Sequence, residues 1–165
     1  MYHDFILVKK TTINTKNKFD KLISNYFNNN KDEISFVKIR DDLILYIFDT
    51  LKWLESDFYE LGVRKGISYH GITIIKDENA KKAKDIIEAW KNLFSNGDEV
   101  IKLTGEYIFE NELEYDEFGK KYYKCGQYKK IFLKKDEVLK SLEALEKFLK
   151  ISSENKEYCV VHFGI

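Results

Sequence analysis

His3, His70 and His162 are the only imidazoles in the chain, and each falls in or beside a strand-like run. Three His side chains can hold a catalytic zinc. A His beside a carboxylate can move protons at neutral pH. The spacing of these three matches no metal motif, and no cofactor-binding motif accompanies them. If the strands carrying His70 and His162 are neighbours, both rings could face one cleft with a nearby acid. The chain would then be a small His-dependent or metal-assisted hydrolase. The alternative is a hydrogen-bonded structural imidazole, since Tyr69 and Phe163 adjoin these positions.

Cys125 and Cys159 are too few for a disulfide framework. Cys159 stands three residues before His162, so on a strand the two point to opposite faces and cannot form a nucleophile–base dyad. It reads as a core thiol. Cys125 lies in a Lys-rich segment and reads either as a thiol of lowered pKa or as a plain exposed one. The run Tyr69-His70-Gly71-Ile72-Thr73 allows close backbone approach at Gly71, for function or for tight packing. The chain holds no Gly-rich phosphate loop, CxxC pair, HExxH motif or Gly-x-Ser-x-Gly elbow.

Charge patterning is the strongest non-random feature. Glu106, Glu110, Glu112, Glu114, Asp116 and Glu117 follow one another with no Lys or Arg among them. Lys120, Lys121, Lys124, Lys129, Lys130, Lys134 and Lys135 come next, and Tyr107, Phe109, Tyr115, Phe118, Tyr122 and Tyr123 interleave. On an extended segment the carboxylates at 110, 112, 114 and 116 share one side. One reading is a solvated hairpin pairing acid against base across its strands. The other is an acidic, aromatic surface that docks on a basic protein, with Glu110, Glu112, Glu114, Asp116 and Tyr115 as contacts. A calcium loop is a third reading, but the EF-hand spacing and its central Gly are missing.

Composition narrows the function classes. Apolar residues make up 44% and charged residues 34% of 165 positions, which suits one folded domain. Formal net charge is zero, and Arg40 and Arg64 are the only arginines. Nucleic-acid binding normally needs a basic excess and favours Arg, so that class loses weight. Proline is absent where about 5% is usual. Abundant Lys, Asn, Ile, Tyr and Phe then point to a low-GC bacterial gene. No signal-peptide pattern and no apolar run near the ~20 residues of a membrane span is present, so the expected setting is cytoplasmic, without a membrane.

These residues must be positioned by a small set of elements. Phe5 to Val8 reads as a strand, and Phe19, Leu22, Ile23, Tyr26 and Phe27 mark an amphipathic helix from Thr15 to Phe27, ended by Asn28-Asn29-Asn30. Ile34 to Ile39 fits either a strand or a helix lead-in. Leu43, Ile47, Leu51, Leu54, Phe58 and Leu61 predict the longest helix, from Asp41 to Leu61, with Gly62 just past its end. Trp53 falls off that stripe. Ile67 to Ile75 reads as a core strand, 78–95 as a helix, and 100–109 as a strand broken by a bulge at Gly105. Tyr128 to Leu133 is a strand, Asp136 starts a helix, and Tyr158 to Ile165 is a terminal strand that must pair to be ordered. The expected fold is a single α+β domain over 1–165: a mainly antiparallel sheet with three to four helices packed on one face.

Two segments carry a resemblance. Gly66 to Ile75 leads into a helix ending Trp90-Lys91-Asn92-Leu93-Phe94, and His162-Phe163-Gly164-Ile165 follows a Leu-rich helix. With Leu103-Thr104-Gly105 they resemble a group of small uncharacterised proteins of low-GC bacteria. That group is similar in size and style to immunity proteins that accompany secreted toxins. The resemblance covers about residues 62 to 165 and places no immunity-defining residue. It implies a protein that neutralises a cognate toxin by blocking its active site. If the toxin is a nuclease, the acidic stretch would mimic phosphates in its basic groove. A regulatory or structural subunit, pairing through an edge strand or the Trp53 face, is the third expectation.

Overall fold

The computed structural model describes residues 1–27, 36–109, 113–123 and 126–164. The structure is α+β, centred on a six-stranded antiparallel sheet. Strand β1 (Tyr2–Lys9) runs between β2 (Phe36–Arg40) and β10 (Tyr158–Phe163). Beyond β10 come β5 (Ile72–Ile75), β3 (Glu55–Phe58) and β4 (Gly62–Lys65). The C-terminal strand is thus central, paired with the first strand on one side and with β5 on the other.

Alternation sets the two faces. Phe5 and Leu7 of β1 enter one core with Val37, Ile39, Ile75 and Val160. Helices α3 (Asp41–Leu51), α4 (Asp77–Ser95) and α5 (Lys135–Glu154) cover that side through Leu43, Ile47, Ala83, Ile87, Leu142, Leu145 and Leu149. Ile6 and Val8 point the other way, into a smaller core with Cys159, Val161 and Phe163. Helix α2 (Lys16–Phe27), preceded by the short α1 (Lys10–Ile13), covers this side with Phe19, Leu22, Ile23 and Tyr26. Helices therefore lie on both faces, where one was expected. The reason is legible in β10, which buries Cys159 to Phe163 continuously and so needs cover on each side.

The expected helix from 41 to 61 ends at Leu51. Trp53 and Leu54 make tight terminal-turn bonds to the carbonyls of Thr50 and Leu51, and Glu55 starts β3. Glu60 (φ 62°) and Gly62 (φ 75°) turn the chain into β4. Helical period and strand pairing both fit this segment locally. The pairing of β3 with β4 and β5 decides it. The longest helix is consequently α5, which has 20 residues. It starts at Lys135, so Asp136 lies within its first turn, and its N-terminus makes no side-chain cap bond.

The run 67–75 is a strand only from Ile72. Residues before it form a loop tied to the body: the Ser68 amide donates to Thr73 Oγ1 at 2.7 Å, and the Gly164 amide donates to the Gly71 carbonyl at 2.8 Å. A Cβ at Gly164 would collide with the Tyr69 carbonyl, so only glycine lets this loop seat against the end of β10.

A second ladder joins β6 (Val100–Ile108) and β9 (Gln127–Lys134), and a third joins β7 (Leu113–Tyr115) and β8 (Lys121–Tyr123). The β6–β9 register shifts between Thr104 and Tyr107, placing a bulge at Gly105 as the sequence suggests. No described helix is long and apolar enough to cross a membrane.

Candidate functional site

Two features gather polar and aromatic side chains. The first is a buried chain of hydrogen bonds on the side of the sheet covered by α3, α4 and α5. In register, β1 and β10 place Phe5 opposite His162. His162 Nε2 lies 2.9 Å from His3 Nδ1, with the rings stacked at 5.1 Å. His3 Nε2 lies 3.3 Å from Asp41 Oδ1, and the Tyr69 hydroxyl donates to the same oxygen at 2.5 Å. Four elements meet here: β1, β10, the first turn of α3 and the loop before β5.

Partners fix the tautomers. Asp41 accepts, so His3 carries its proton on Nε2 and offers a lone pair at Nδ1. His162 must then donate from Nε2, which leaves its Nδ1 as a bare lone pair. That nitrogen is buried and has no partner among the described residues. Burial drives both imidazoles toward the neutral form. It holds His162 well below its ordinary pKa, helped by His3, and it lowers His3 against the opposing pull of Asp41. Tyr69 is pushed up to about 12 by burial and by Asp41.

This cluster differs from the one expected of His70 and His162. His162 does pair with an imidazole, but with His3. His70 is exposed, its ring 4.6 Å from Tyr69 and outside the hydrogen-bonded chain. His3 and His162 are both 0% exposed, so no substrate reaches either ring in this conformation. No group of His, Cys, Asp or Glu among the described residues has the geometry to hold a metal. The sequence shows Tyr69 beside His70 and Asp41 at a helix start, but identifies neither as a hydrogen-bond partner in this cluster. Cys159 is buried, and burial raises its thiol to about 12, which suits a core residue rather than a nucleophile. Cys125 lies outside the described residues.

The second feature is the hairpin region from 100 to 134. Its inner side chains, Ile101, Ile131 and Leu133, are buried and anchor it to the body. Lys129 Nζ donates to Asp42 Oδ1 at 2.9 Å, and Arg40 bonds both Asp42 and the Phe132 carbonyl. Lys129 first, then Arg40, holds the Asp42 carboxyl below its usual range. Outward, the region presents Tyr107, Ile108, Phe109 (78% exposed), Tyr115, Phe118 (86% exposed), Tyr128 and Phe132. Tyr107 meets Phe109 and Tyr128 edge-on at 4.9 and 5.1 Å.

The described register pairs of the two ladders set no acid directly opposite a base. Glu114 stands opposite Tyr122, Lys121 opposite Tyr115, Lys130 opposite Thr104 and Lys102 opposite Phe132. Tyr115 is exposed and carries the Lys121 ammonium 5.8 Å above its ring. Asp116 also closes a turn. Its Oδ1 accepts from the amides of Phe118 and Lys120, around Gly119. Glu114 is half-buried, and Glu110 and Glu112 lie outside the described residues. Between α3 and the bulged β6 lies a cavity of about 410 Å³, lined by Asp42, Leu45, Tyr46, Glu106 and Lys129 among others. Trp53 is 62% exposed, as its place off the stripe suggested, and Trp90 is half-buried with its Nε1 donating to Thr50 Oγ1. Comparison with protein-family models, with curated proteins and with solved structures finds no match to this chain.

Proposed function

We propose that the chain is a protein-binding module of the immunity type, which neutralises a cognate bacterial toxin by docking its hairpin region across the toxin's active site. One observation supports this above the others. The hairpin region holds Phe109, Tyr115 and Phe118 in water while a buried base anchors it. Exposing such rings in a monomer is unfavourable, whereas buried aromatic anchors dominate binding at protein interfaces. Carboxylates beside them would steer a basic partner. The hydrolase reading draws support from the Asp41–His3–His162 chain, but full burial of both rings disfavours it.

The test is affinity capture on the immobilised full chain from lysate of the native host, washed at low and then high salt. The retained protein is purified and expressed in cells with and without this chain. We expect one stoichiometric partner that arrests growth alone and is harmless when co-expressed. A retained protein that is harmless on its own would overturn the immunity reading.

A further inference from the structure

We infer that the outward face of the β6–β9 ladder binds single-stranded nucleic acid. This goes beyond the protein-binding reading and uses other side chains than Phe109, Tyr115 and Phe118. The register carries the inference. Directly opposed residues of an antiparallel pair project on one face, and so do alternate residues along each strand. Ile101, Ile131 and Leu133 point inward and are buried. Their neighbours therefore point outward, as the pairs Val100–Lys134, Lys102–Phe132, Thr104–Lys130 and Tyr107–Tyr128. Each of these outward residues is exposed.

The face has one kind of chemistry throughout. Along β9, Tyr128, Lys130, Phe132 and Lys134 alternate ring and ammonium group. Across the ladder, Lys102 stands against Phe132, and Tyr107 meets Tyr128 edge-on at 5.1 Å. None of these paired outward residues is acidic. Glu106, in the bulge, lies on the other side, at the cavity that also holds Lys129. At the end of the strand Lys134 pairs with Glu137 at 3.1 Å, whereas Lys102 and Lys130 make no ion pair among the described residues. These two lysines, with Thr104 and Phe132, border a depression of about 380 Å³. The formal net charge of the chain is zero, but its acids are sorted elsewhere: Glu114 and Asp116 belong to the β7–β8 hairpin, and Asp41 and Asp42 to α3.

A nucleic-acid single strand is the occupant that repeats this alternation. Each nucleotide presents one planar base and one phosphate, so bases stack on the rings while phosphates meet the ammonium groups. Same-face neighbours on a strand are about 6.8 Å apart, which sets a lysine close beside each β9 ring. A duplex hides its base faces, and an acidic peptide brings carboxylates without planar bases. Stacking of this kind tolerates any sequence. It needs Lys only as a point charge, and no Arg for bidentate reading of base edges.

The probes are fluorescein-labelled oligothymidylate and oligouridylate of about twelve nucleotides, within the usual range of single-strand site sizes. They are titrated with the full chain and read by fluorescence anisotropy. At least one should bind at micromolar protein, and the tighter of the two identifies the sugar. Affinity should fall roughly tenfold between about 50 and about 200 mM salt, as two to three neutralised phosphates predict for a single strand. Oligothymidylate annealed to oligoadenylate should bind at least tenfold more weakly than the single strand. Tyr128→Ser with Phe132→Ser should lower affinity at least tenfold. Lys102→Gln with Lys130→Gln should lower it and flatten its salt dependence. Failure of both single strands to bind overturns the proposal, as does a folded ring variant that binds like the unaltered chain. A duplex bound as tightly as the single strand also overturns it. So does a labelled glutamate peptide of equal length bound as tightly, which would mark the face as a site for acidic proteins. If the ring variant does not fold, the duplex and peptide comparisons on the unaltered chain decide.

Discussion

His3 and His162 form a buried pair whose chemistry is set by neutrality. Each is held below its ordinary pKa, chiefly by burial, so the unfolded chain binds more protons than the folded one near pH 6. By linkage, stability then rises with pH through that window and is lost as pH falls below about 6.5, the ordinary His value. We expect the urea midpoint to drop between pH 7.5 and pH 5, before most carboxylates titrate. Replacing both residues by Gln should flatten that drop, whatever it costs in overall stability. A midpoint that stays constant from pH 7.5 to 5 in the unaltered chain would contradict the neutral pair. Only part of this cluster was legible from the sequence. Three His in strand-like segments suggested convergence. Which two would meet depended on β1 and β10 pairing with Phe5 opposite His162, and period-2 patterns give faces but not neighbours.

At the scale of elements, the terminal strand and the loop before β5 depend on each other. Gly164 passes so close to Tyr69 that any side chain would push the loop away, and Tyr69 is what ties the loop to Asp41. Gly164→Ala should therefore cost about 1–3 kcal/mol of stability, the usual range for overpacking. Thermal unfolding checks this, and an unchanged melting temperature would refute the close approach. Elements with strong local signals were readable in advance: α2, α4, α5, the bulge at Gly105 and the pairing of β10. The segment 52–65 was not. Its Leu54, Phe58 and Leu61 keep a helical period, yet Leu54 is fully buried and Leu61 is 61% exposed, because the chain has become a hairpin. A local period cannot report that β4 is available as a partner. The second helix layer went unread for a related reason, since nothing in α2 alone says which face of the sheet it covers.

Considered whole, the molecule divides its work between a sheet with helices on both faces and a hairpin region rich in exposed rings. The body supplies anchorage at the first turn of α3, where Asp41 takes the His pair and Asp42 takes Lys129. Among the described register pairs of the two ladders no acid stands directly opposite a base, and Lys129 pairs with Asp42 of the body instead. Asp116, read from the sequence as a contact, also forms a turn through its Oδ1, a role set by backbone geometry and not by residue type alone. On the proposed reading the hairpin rings, and not the His cluster, carry the function. The most direct measurement is calorimetric titration of the captured partner with the unaltered chain and with a variant carrying Phe109→Ser, Tyr115→Ser and Phe118→Ser. These rings are exposed, so folding and melting temperature should be preserved while affinity falls at least a hundredfold. A folded variant that binds within threefold of the unaltered chain would contradict the account.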